Sequence, residues 1–248
     1  MNIKYYSIQN NDLIEDLSQD QFPAIVRIWK EQSLNLPAEG THFGFIYQGH
    51  PVLHRQNSRE KDKEYYRLHP GMYFCLPNKG KIEGENSSGI VITFINYNGI
   101  FNLGGSIEQT GRLAYIDGGA NSVLIPPIIL GDPCLNAMYF PPGIDQTLHT
   151  HPSYRIGIIV KGNVDIETPE AVVHLQPGSI FLIPANSLHK FRIHQTGLTA
   201  VMFHPDSNIG FTHQNNPMLN RTMINGVSAA KISQIQTSPN FLFKETTE

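Results

Sequence analysis

Three histidines have the residue type and spacing best suited to chemistry in this chain: His149, His151 and His189. One residue separates His149 from His151, and on a β-strand that spacing places both imidazoles on the same face. His189 comes later, directly after the turn-like sequence at 184–187. Neutral imidazole is a good ligand for Zn, Fe, Cu and Ni, and three imidazoles leave coordination positions open. The pattern therefore predicts a metal site.

Arg155 and Asp145 are the charged residues expected beside these histidines. The Arg155 guanidinium stays protonated and cannot ligate a metal. At about 5 Å from a divalent cation it would be repelled by roughly 6–7 kcal/mol at an effective dielectric constant of 20. An anion between the two cations relieves that repulsion, so one interpretation is that Arg155 grips a substrate carboxylate or enolate. The other is that Arg155 turns aside and pairs with an acid such as Asp145 or Asp165. Asp145 is also the candidate catalytic base, if its side chain faces inward.

Strand alternation extends the prediction to neighbouring side chains. If His149 and His151 face inward, so does Thr147. After the turn, alternation predicts that His189, Phe191 and Ile193 face inward. It predicts that Lys190, Arg192 and His194 face outward. His204 ends a later run and is a weaker candidate for the mouth of the same site.

Composition restricts the classes of partner. The chain has 248 residues and a formal net charge of −3, and it contains no basic run, which argues against a nucleic-acid surface. The absence of a long apolar stretch or a leader-like N-terminus predicts a cytoplasmic protein without membrane contact. Cys75 and Cys134 lie in apolar strand-like runs and are expected to be buried thiols. The expected partner is a small anionic molecule, and homodimerisation is a further expectation.

Strand signals dominate the sequence. Short β-branched and aromatic runs alternate with turn residues, which is typical of an all-β sandwich or barrel. The predicted strands are 24–29, 42–47, 72–76, 90–97, 122–129, 136–140, 146–151, 155–160, 171–175, 180–183, 189–193 and 198–203.

The chain also contains an internal repeat. The pattern at 68–77 recurs at 175–184, and the pattern at 45–49 recurs at 158–162. Duplication of one β-barrel is the economical explanation. The first copy lacks the three histidines, and only His42 falls in register, opposite Arg155. It also has a longer charged loop at 57–64, which we expect to be solvated.

The repeat divides the chain into two predicted domains. Residues 1–107 form a structural copy without a metal site, and residues 108–248 form the copy that carries the chemistry. After Pro205 the strand periodicity is lost, so a tail of loops is expected, with a short helix at 227–235 and frayed residues at 244–248.

These residues resemble the cupin superfamily. Its first motif has a glycine, five residues, His-x-His, three or four residues, a glutamate, six residues and a glycine. Here Gly143, His149, His151 and Gly162 fit that spacing, and Arg155 replaces the glutamate. Three of the four usual metal ligands are thus present once His189 is included.

The second motif of the superfamily supplies His189. It has a glycine, five residues, Pro-x-Gly, two residues, a histidine, three residues and an asparagine. Gly178, Pro184 and His189 match it. Asn186 replaces the turn glycine and also tolerates a left-handed backbone, whereas Ile193 replaces the asparagine. The resemblance implies an all-β double-stranded β-helix, or jelly roll, with two tandem cupin barrels and a short C-terminal tail of loops and helix.

The resemblance implies a metal-dependent function without fixing it, because cupins host several chemistries. The first hypothesis is a non-haem iron dioxygenase, with Fe(II) as the expected metal and Zn, Ni, Mn or Cu as alternatives, acting on a substrate held by Arg155. The second is a redox-silent isomerase, cyclase or lyase. The third is a ligand-binding module without catalysis.

Overall fold

A computed structural model describes residues 3–9, 12–56, 63–212 and 215–236. Outside the described residues lie 57–62 of the predicted charged loop, His213, and the predicted frayed end at 244–248. The strands are β1 (Lys4–Ser7), β2 (Asp12–Leu17), β3 (Ala24–Lys30), β4 (Leu34–Leu36), β5 (Thr41–Gln48), β6 (Val52–Gln56), β7 (Lys63–Arg67), β8 (Tyr73–Pro77), β9 (Gly80–Glu83), β10 (Ser88–Phe94), β11 (Asn102–Gly104), β12 (Leu113–Ala114), β13 (Ala120–Ile125), β14 (Cys134–Phe140), β15 (Arg155–Lys161), β16 (Val164–Glu167), β17 (Val172–Leu175), β18 (Ser179–Ile183), β19 (Lys190–Ile193), β20 (Leu198–His204), β21 (Met223–Ile224) and β22 (Val227–Ser228). One α-helix, α1 (Pro217–Arg221), and short 3-10 helices at Ile116–Gly118, Ala229–Lys231 and Ser233–Ile235 complete the described elements.

The β-rich prediction is confirmed, with one informative exception. All but one of the strands predicted from residue patterns coincide with an observed strand to within a few residues. The segment 146–151 is the exception, because it forms no continuous strand. Its pairing with the chain after the turn is limited to isolated bridges, Asp145 with Arg192 and His149 with His189, and single hydrogen bonds.

Two pairs of sheets build two tandem barrels. In the first half, a six-stranded sheet (β11-β8-β5-β10-β3-β2) faces a four-stranded sheet (β4-β9-β6-β7). In the second half, a seven-stranded sheet (β1-β18-β15-β20-β14-β13-β12) faces a three-stranded sheet (β17-β16-β19). Each pair encloses its own apolar core, formed by inward residues that alternate along the strands. This is the predicted double jelly roll.

The duplication predicted from the repeat is visible at the level of single contacts. In the first barrel Gly44 on β5 lies opposite Phe74 on β8, and in the second Gly157 on β15 lies opposite Phe181 on β18. A Cβ atom added to Gly44 would approach the Phe74 ring to 2.1 Å, and one added to Gly157 would approach the Phe181 ring to 2.4 Å. Both barrels therefore use a glycine to seat a cross-strand phenylalanine ring.

A third apolar core joins the two halves. The outward faces of the two large sheets pack against each other, so that Phe203 from β20 lies 5.0 Å from Phe43 and 5.9 Å from Phe94, between ring centroids. The buried residues of this core come mainly from β3, β5, β8 and β10 on one side and from β13, β14, β15, β18 and β20 on the other. The two copies share one continuous apolar interface, and their division at residue 107 stays a prediction.

The chain ends follow tertiary contacts that local patterns did not reveal. β1 pairs antiparallel with β18, so a segment near the N-terminus completes the seven-stranded sheet of the second barrel. The short helix predicted at 227–235 is met in part, because that segment contains β22 followed by two short 3-10 helices. The described α-helix lies earlier, where Asn216 caps Met218 with its side chain. Within the described parts of the chain, no helix has the length and apolar character needed to cross a bilayer.

Candidate metal centre

The fold brings His149, His151 and His189 into one group at the mouth of the second barrel. One potential ligand atom from each ring lies within 4.8 Å of the others. The ring centroids are separated by 4.6 Å between His149 and His189, 5.0 Å between His149 and His151, and 5.3 Å between His151 and His189. His149 and His151 are partly buried and His189 is buried. The arrangement suits three ligands on one side of a metal ion.

Two backbone carbonyls set the tautomers of His149 and His189. His149 Nδ1 lies 2.8 Å from the carbonyl oxygen of Thr147, and His189 Nδ1 lies 2.8 Å from that of Ser187. A carbonyl only accepts, so each Nδ1 carries the proton and donates it, which leaves the Nε2 lone pair of both rings free. Such contacts are the usual means by which proteins orient metal-binding histidines.

The turn before His189 is built as its sequence suggests. Asn186 has a φ of 59°, the left-handed conformation that the glycine of the cupin motif would adopt. Its amide donates to the carbonyl oxygen of His151 at 2.7 Å. The turn thus ties the second histidine of the first motif to the segment that carries His189.

The electrostatic environment keeps two of the rings neutral. Burial lowers the pKa of His151 to about 3, with further lowering by Arg155, His189 and His149. Burial likewise lowers the pKa of His189 to about 4, partly opposed by its bond to Ser187. Neutral rings present their lone pairs without first losing a proton, which favours metal binding near neutral pH.

Arg155 is buried beside the histidines, and neither of the acids named from the sequence is its partner. Its Nη1 donates to the carbonyl oxygens of Ser153 at 3.2 Å and Tyr154 at 2.9 Å, and also to the Ser153 hydroxyl. Nη1 lies 3.6 Å from an oxygen of Asp206, which in turn accepts from the Ser153 hydroxyl. Its Nε is buried and has no hydrogen-bond partner among the described residues. The interpretation that Arg155 pairs with a protein acid therefore holds for Nη1 alone, and that acid is Asp206.

Asp145 and Asp165 are both directed away from the three candidate ligands. The Asp145 carboxylate is exposed and accepts from Lys190 Nζ at 2.6 Å. The prediction that Asp145 serves as a base required an inward side chain, and the structure does not provide one. Asp165 is held instead by His174 and His194, at 2.6 and 3.1 Å.

The backbone before His149 is irregular, and as a result Gln146 faces inward in place of Thr147. Thr147 is exposed, and its amide and hydroxyl donate to Asp117 at 2.7 and 3.2 Å, so the prediction that Thr147 faces inward is wrong. Gln146 is only 3% exposed and takes the inward position. Strand alternation fails here because 146–151 is not a continuous strand.

His204 lies closer to the site than its sequence pattern suggested. It faces Cys134 across β14 and β20, and Ile156 pairs with Phe203, so Arg155 is its next neighbour across β15. Burial lowers the pKa of His204 well below its usual range, and the charges of Arg155 and His151 lower it further. The signal in the sequence was alternation along β20, which placed Ala200, Met202 and His204 on one face.

In the first barrel, His42 stands at the position equivalent to Arg155, and both of its ring nitrogens are hydrogen-bonded within the protein. His42 is completely buried, its Nε2 lies 3.0 Å from the carbonyl oxygens of Pro37 and Asn78, and its Nδ1 lies 2.9 Å from the Thr93 hydroxyl. Nε2 therefore donates and Nδ1 accepts. Both ring nitrogens are occupied, which agrees with a structural role for this copy.

Comparisons with known proteins agree with this architecture. Residues 141–212 match the family model described as the AraC-like ligand binding domain. A search of curated proteins gives no match to this chain.

Three solved structures illustrate the similarity of fold. A cupin 2 conserved barrel domain protein from Leptotrichia buccalis is 14% identical, with 82% of this chain and 88% of that chain covered and a TM-score of 0.53. A point mutant of salicylate 1,2-dioxygenase from Pseudoaminobacter salicylatoxidans is 10% identical, with 73% and 69% covered and a TM-score of 0.54. Bacillus subtilis oxalate decarboxylase (a deletion mutant) is 10% identical, with 88% and 81% covered and a TM-score of 0.52.

Such low identities establish a common fold and leave activity open. The two jelly rolls in tandem, with a group of three histidines in the second, define the class as a two-barrel protein with a candidate metal site. The chain has the two-barrel fold of the cupin structures to which it is similar, and residues 141–212 of its second barrel match a family of ligand-binding domains.

Proposed function

We propose that His149, His151 and His189 hold a divalent metal ion and that the protein is a non-haem Fe(II) dioxygenase acting on a small anionic substrate. The observation that carries the proposal is the convergence of three imidazoles, two of which have Nδ1 committed to a backbone carbonyl. Fixed tautomers leave Nε2 lone pairs as the donors, a ligand set that suits Fe(II), Zn, Ni, Mn or Cu.

The donor set fits a metal that must also accept substrate. Three neutral ligands leave the charge of the ion uncompensated, so an anionic substrate is attracted to it. When bound, iron supplies the redox chemistry that protein side chains lack. The chain supplies the rest: the histidines fix the position of the ion, and apolar side chains of the barrel interior exclude water.

Arg155 is proposed to bind the anionic group of that substrate. Its Nη1 is fixed by Ser153, Tyr154 and Asp206, whereas its Nε has no partner in the described chain. A guanidinium anchored at one nitrogen is oriented in advance, and its Nε edge is suited to a carboxylate oxygen. Asp206 therefore positions Arg155 in this proposal.

Metal content and oxygen consumption test the proposal together. The protein is purified without added metal, its metal is identified by elemental analysis, and oxygen uptake is screened over small carboxylates. We expect iron and a substrate-dependent uptake that is lost in His151→Ala. Protein that contains only zinc and consumes no oxygen with any carboxylate, even after loading with Fe(II), would exclude the dioxygenase.

A second candidate is a ligand-binding module without catalysis. The match of residues 141–212 to the AraC-like ligand binding domain favours it, since that match covers the region of the three histidines and Arg155. In this alternative the same site binds a small anion and releases it unchanged. Saturable binding of a carboxylate, followed by its complete recovery under aerobic conditions with iron present, would select this candidate.

A further inference from the structure

Gln146 presents a buried N–H group that the protein itself does not use. The residue is 3% exposed, and its Nε2 has no hydrogen-bond partner among the described residues. Buried polar groups are nearly always paired, and an unpaired donor next to a binding site points to an acceptor supplied by a ligand. Two other buried donors of this kind belong to the second barrel, the Nε of Arg155 and the hydroxyl of Tyr139. Tyr139 belongs to the apolar core between the two barrels, which leaves Arg155 as the second such donor inside the barrel.

The orientation of the Gln146 amide is set by its neighbour. Phe191 N donates to Gln146 Oε1 at 3.2 Å, while Gln146 N donates to Phe191 O at 2.9 Å. Since a backbone N–H needs an acceptor, the oxygen of the amide must face Phe191. The NH2 end is therefore the free end, and the contact that fixes it holds the amide against the main chain of β19.

Gln146 and Arg155 belong to opposite walls of the barrel. Gln146 lies against Phe191 on β19, in the three-stranded sheet, whereas Arg155 begins β15 in the seven-stranded sheet. The flanking residues Asp145 and Thr147 are exposed, which leaves Gln146 as the inward residue of its segment. The interior between the two walls is apolar, with Ile183, Phe191 and Met202 among its side chains.

We propose that Gln146 selects the ligand of this site: its Nε2–H donates to a second oxygen acceptor on a molecule whose anionic group faces Arg155. The inference rests on the proposed anion-binding function and deepens it. The substrate class is then a carboxylate with a further hydroxyl, oxo or carboxylate oxygen. A simple monocarboxylate leaves the Gln146 donor unpaired and binds more weakly.

Matched pairs of acids test the proposal by isothermal titration calorimetry on the protein as purified. The pairs differ by one acceptor: propionate and pyruvate, butyrate and succinate, benzoate and 2-hydroxybenzoate. We expect the wild-type protein to prefer the two-acceptor member of at least one pair by about tenfold, the effect of one hydrogen bond. Equal affinities in every pair, or no binding of any member, overturn the proposal.

Two variants assign that preference to Gln146. Gln146→Met keeps the volume and removes the donor, and Gln146→Glu removes the donor while keeping an acceptor for Phe191 N. In either variant the tenfold preference should disappear, and in Gln146→Met the affinity for the one-acceptor member should stay unchanged. Gln195→Met, the same replacement at an exposed turn, should retain the preference. A preference that survives in Gln146→Met overturns the assignment.

The wild-type protein offers a readout that does not depend on the folding of the variants. The side-chain NH2 signals of Gln146 in a nitrogen-15 NMR spectrum should shift with the preferred acid and stay in place with its one-acceptor partner. Unchanged signals with both overturn the proposal. None of these measurements requires turnover, so a failed dioxygenase assay and a failed role for Gln146 are distinguishable.

Discussion

His149 and His189 are hydrogen-bonded to each other through both main chains. His149 N donates to His189 O at 2.9 Å, and His189 N donates to His149 O at 3.0 Å. The two residues thus form an antiparallel bridge that sets their side chains next to each other, with the ring centroids 4.6 Å apart. The backbone fixes the spacing of two candidate ligands before any metal binds.

Replacement of His151 by alanine should abolish metal binding without unfolding the protein. His151 is partly buried, and no hydrogen bond to its ring is present within the described residues, so its loss removes a ligand and little else. Elemental analysis should show less than about a tenth of the wild-type metal content, and circular dichroism should be unchanged. His194→Ala, on the outer face, should keep its metal. Full occupancy in His151→Ala would refute the ligand assignment.

Replacement of Arg155 should weaken anion binding and stability together while leaving metal content unchanged. Alanine at this position leaves the acceptors of Ser153, Tyr154 and Asp206 without their donor, at a cost of about 1–3 kcal/mol in the free energy of unfolding.

Chemical denaturation and carboxylate titration separate the two effects of Arg155. Asp206→Asn should reproduce part of the stability loss and retain most of the anion affinity, because it removes the ion pair and keeps the guanidinium. A metal-depleted Arg155→Ala protein would contradict the proposed division of roles.

The stability of the first barrel should fall as the pH is lowered from about 6.5 to 4, because of His42. Burial lowers the pKa of His42 from 6.5 to about 4 in the folded protein. Across this range the unfolded chain binds more protons than the folded one, so the free energy of unfolding decreases with falling pH. The shift corresponds to about 3 kcal/mol.

Denaturation curves at several pH values check the His42 prediction against His42→Gln. The variant keeps a donor and an acceptor at this position but does not titrate. Below pH 6 the free energy of unfolding of the wild-type protein should fall faster than that of the variant. The difference between the two should therefore narrow, or the variant should become the more stable protein. Parallel curves at all pH values would show that His42 does not titrate as expected.

Gly157→Ala should destabilise the second barrel through the Phe181 ring. The added Cβ would lie 2.4 Å from Phe181 Cζ, and both residues are fully surrounded by the core. Overpacking of this kind costs about 1–3 kcal/mol. Because the two residues are in contact, adding Phe181→Leu should cost less in Gly157→Ala than in the wild-type protein. Additive losses in this double-mutant cycle would mean that the ring is not the obstacle.

Much of the fold follows from local patterns in the chain. Alternating apolar runs predict the strands, because one face of each strand must pack inward. The pattern that ends at Pro77 recurs in the segment that ends at Pro184, and this repeat predicts a duplicated barrel. The structure contains the duplication, since the pair Gly44–Phe74 in one barrel matches the pair Gly157–Phe181 in the other. The spacing of His149, His151 and His189 likewise sufficed to place them in one site.

Where the backbone leaves regular structure, the same reasoning fails. Alternation assigned Thr147 to the interior, but the chain before His149 is irregular and Gln146 faces inward instead. Asp145 was expected near the site, and Lys190 holds it on the outer face. A period of two has meaning only on a continuous strand, so no local pattern fixes side-chain direction here.

By itself the sequence determined the class of fold, the copy that contains the three histidines and the grouping of those histidines as candidate ligands, since these depend on residue type and short-range spacing. The partner of Arg155, the inward turn of Gln146 and the pairing of β1 with β18 were decided only by the tertiary structure. Each of these joins a residue to a segment, or to a wall of the barrel, that only folding brings near. Contacts of that kind arise from the packing of whole sheets, which no local pattern specifies.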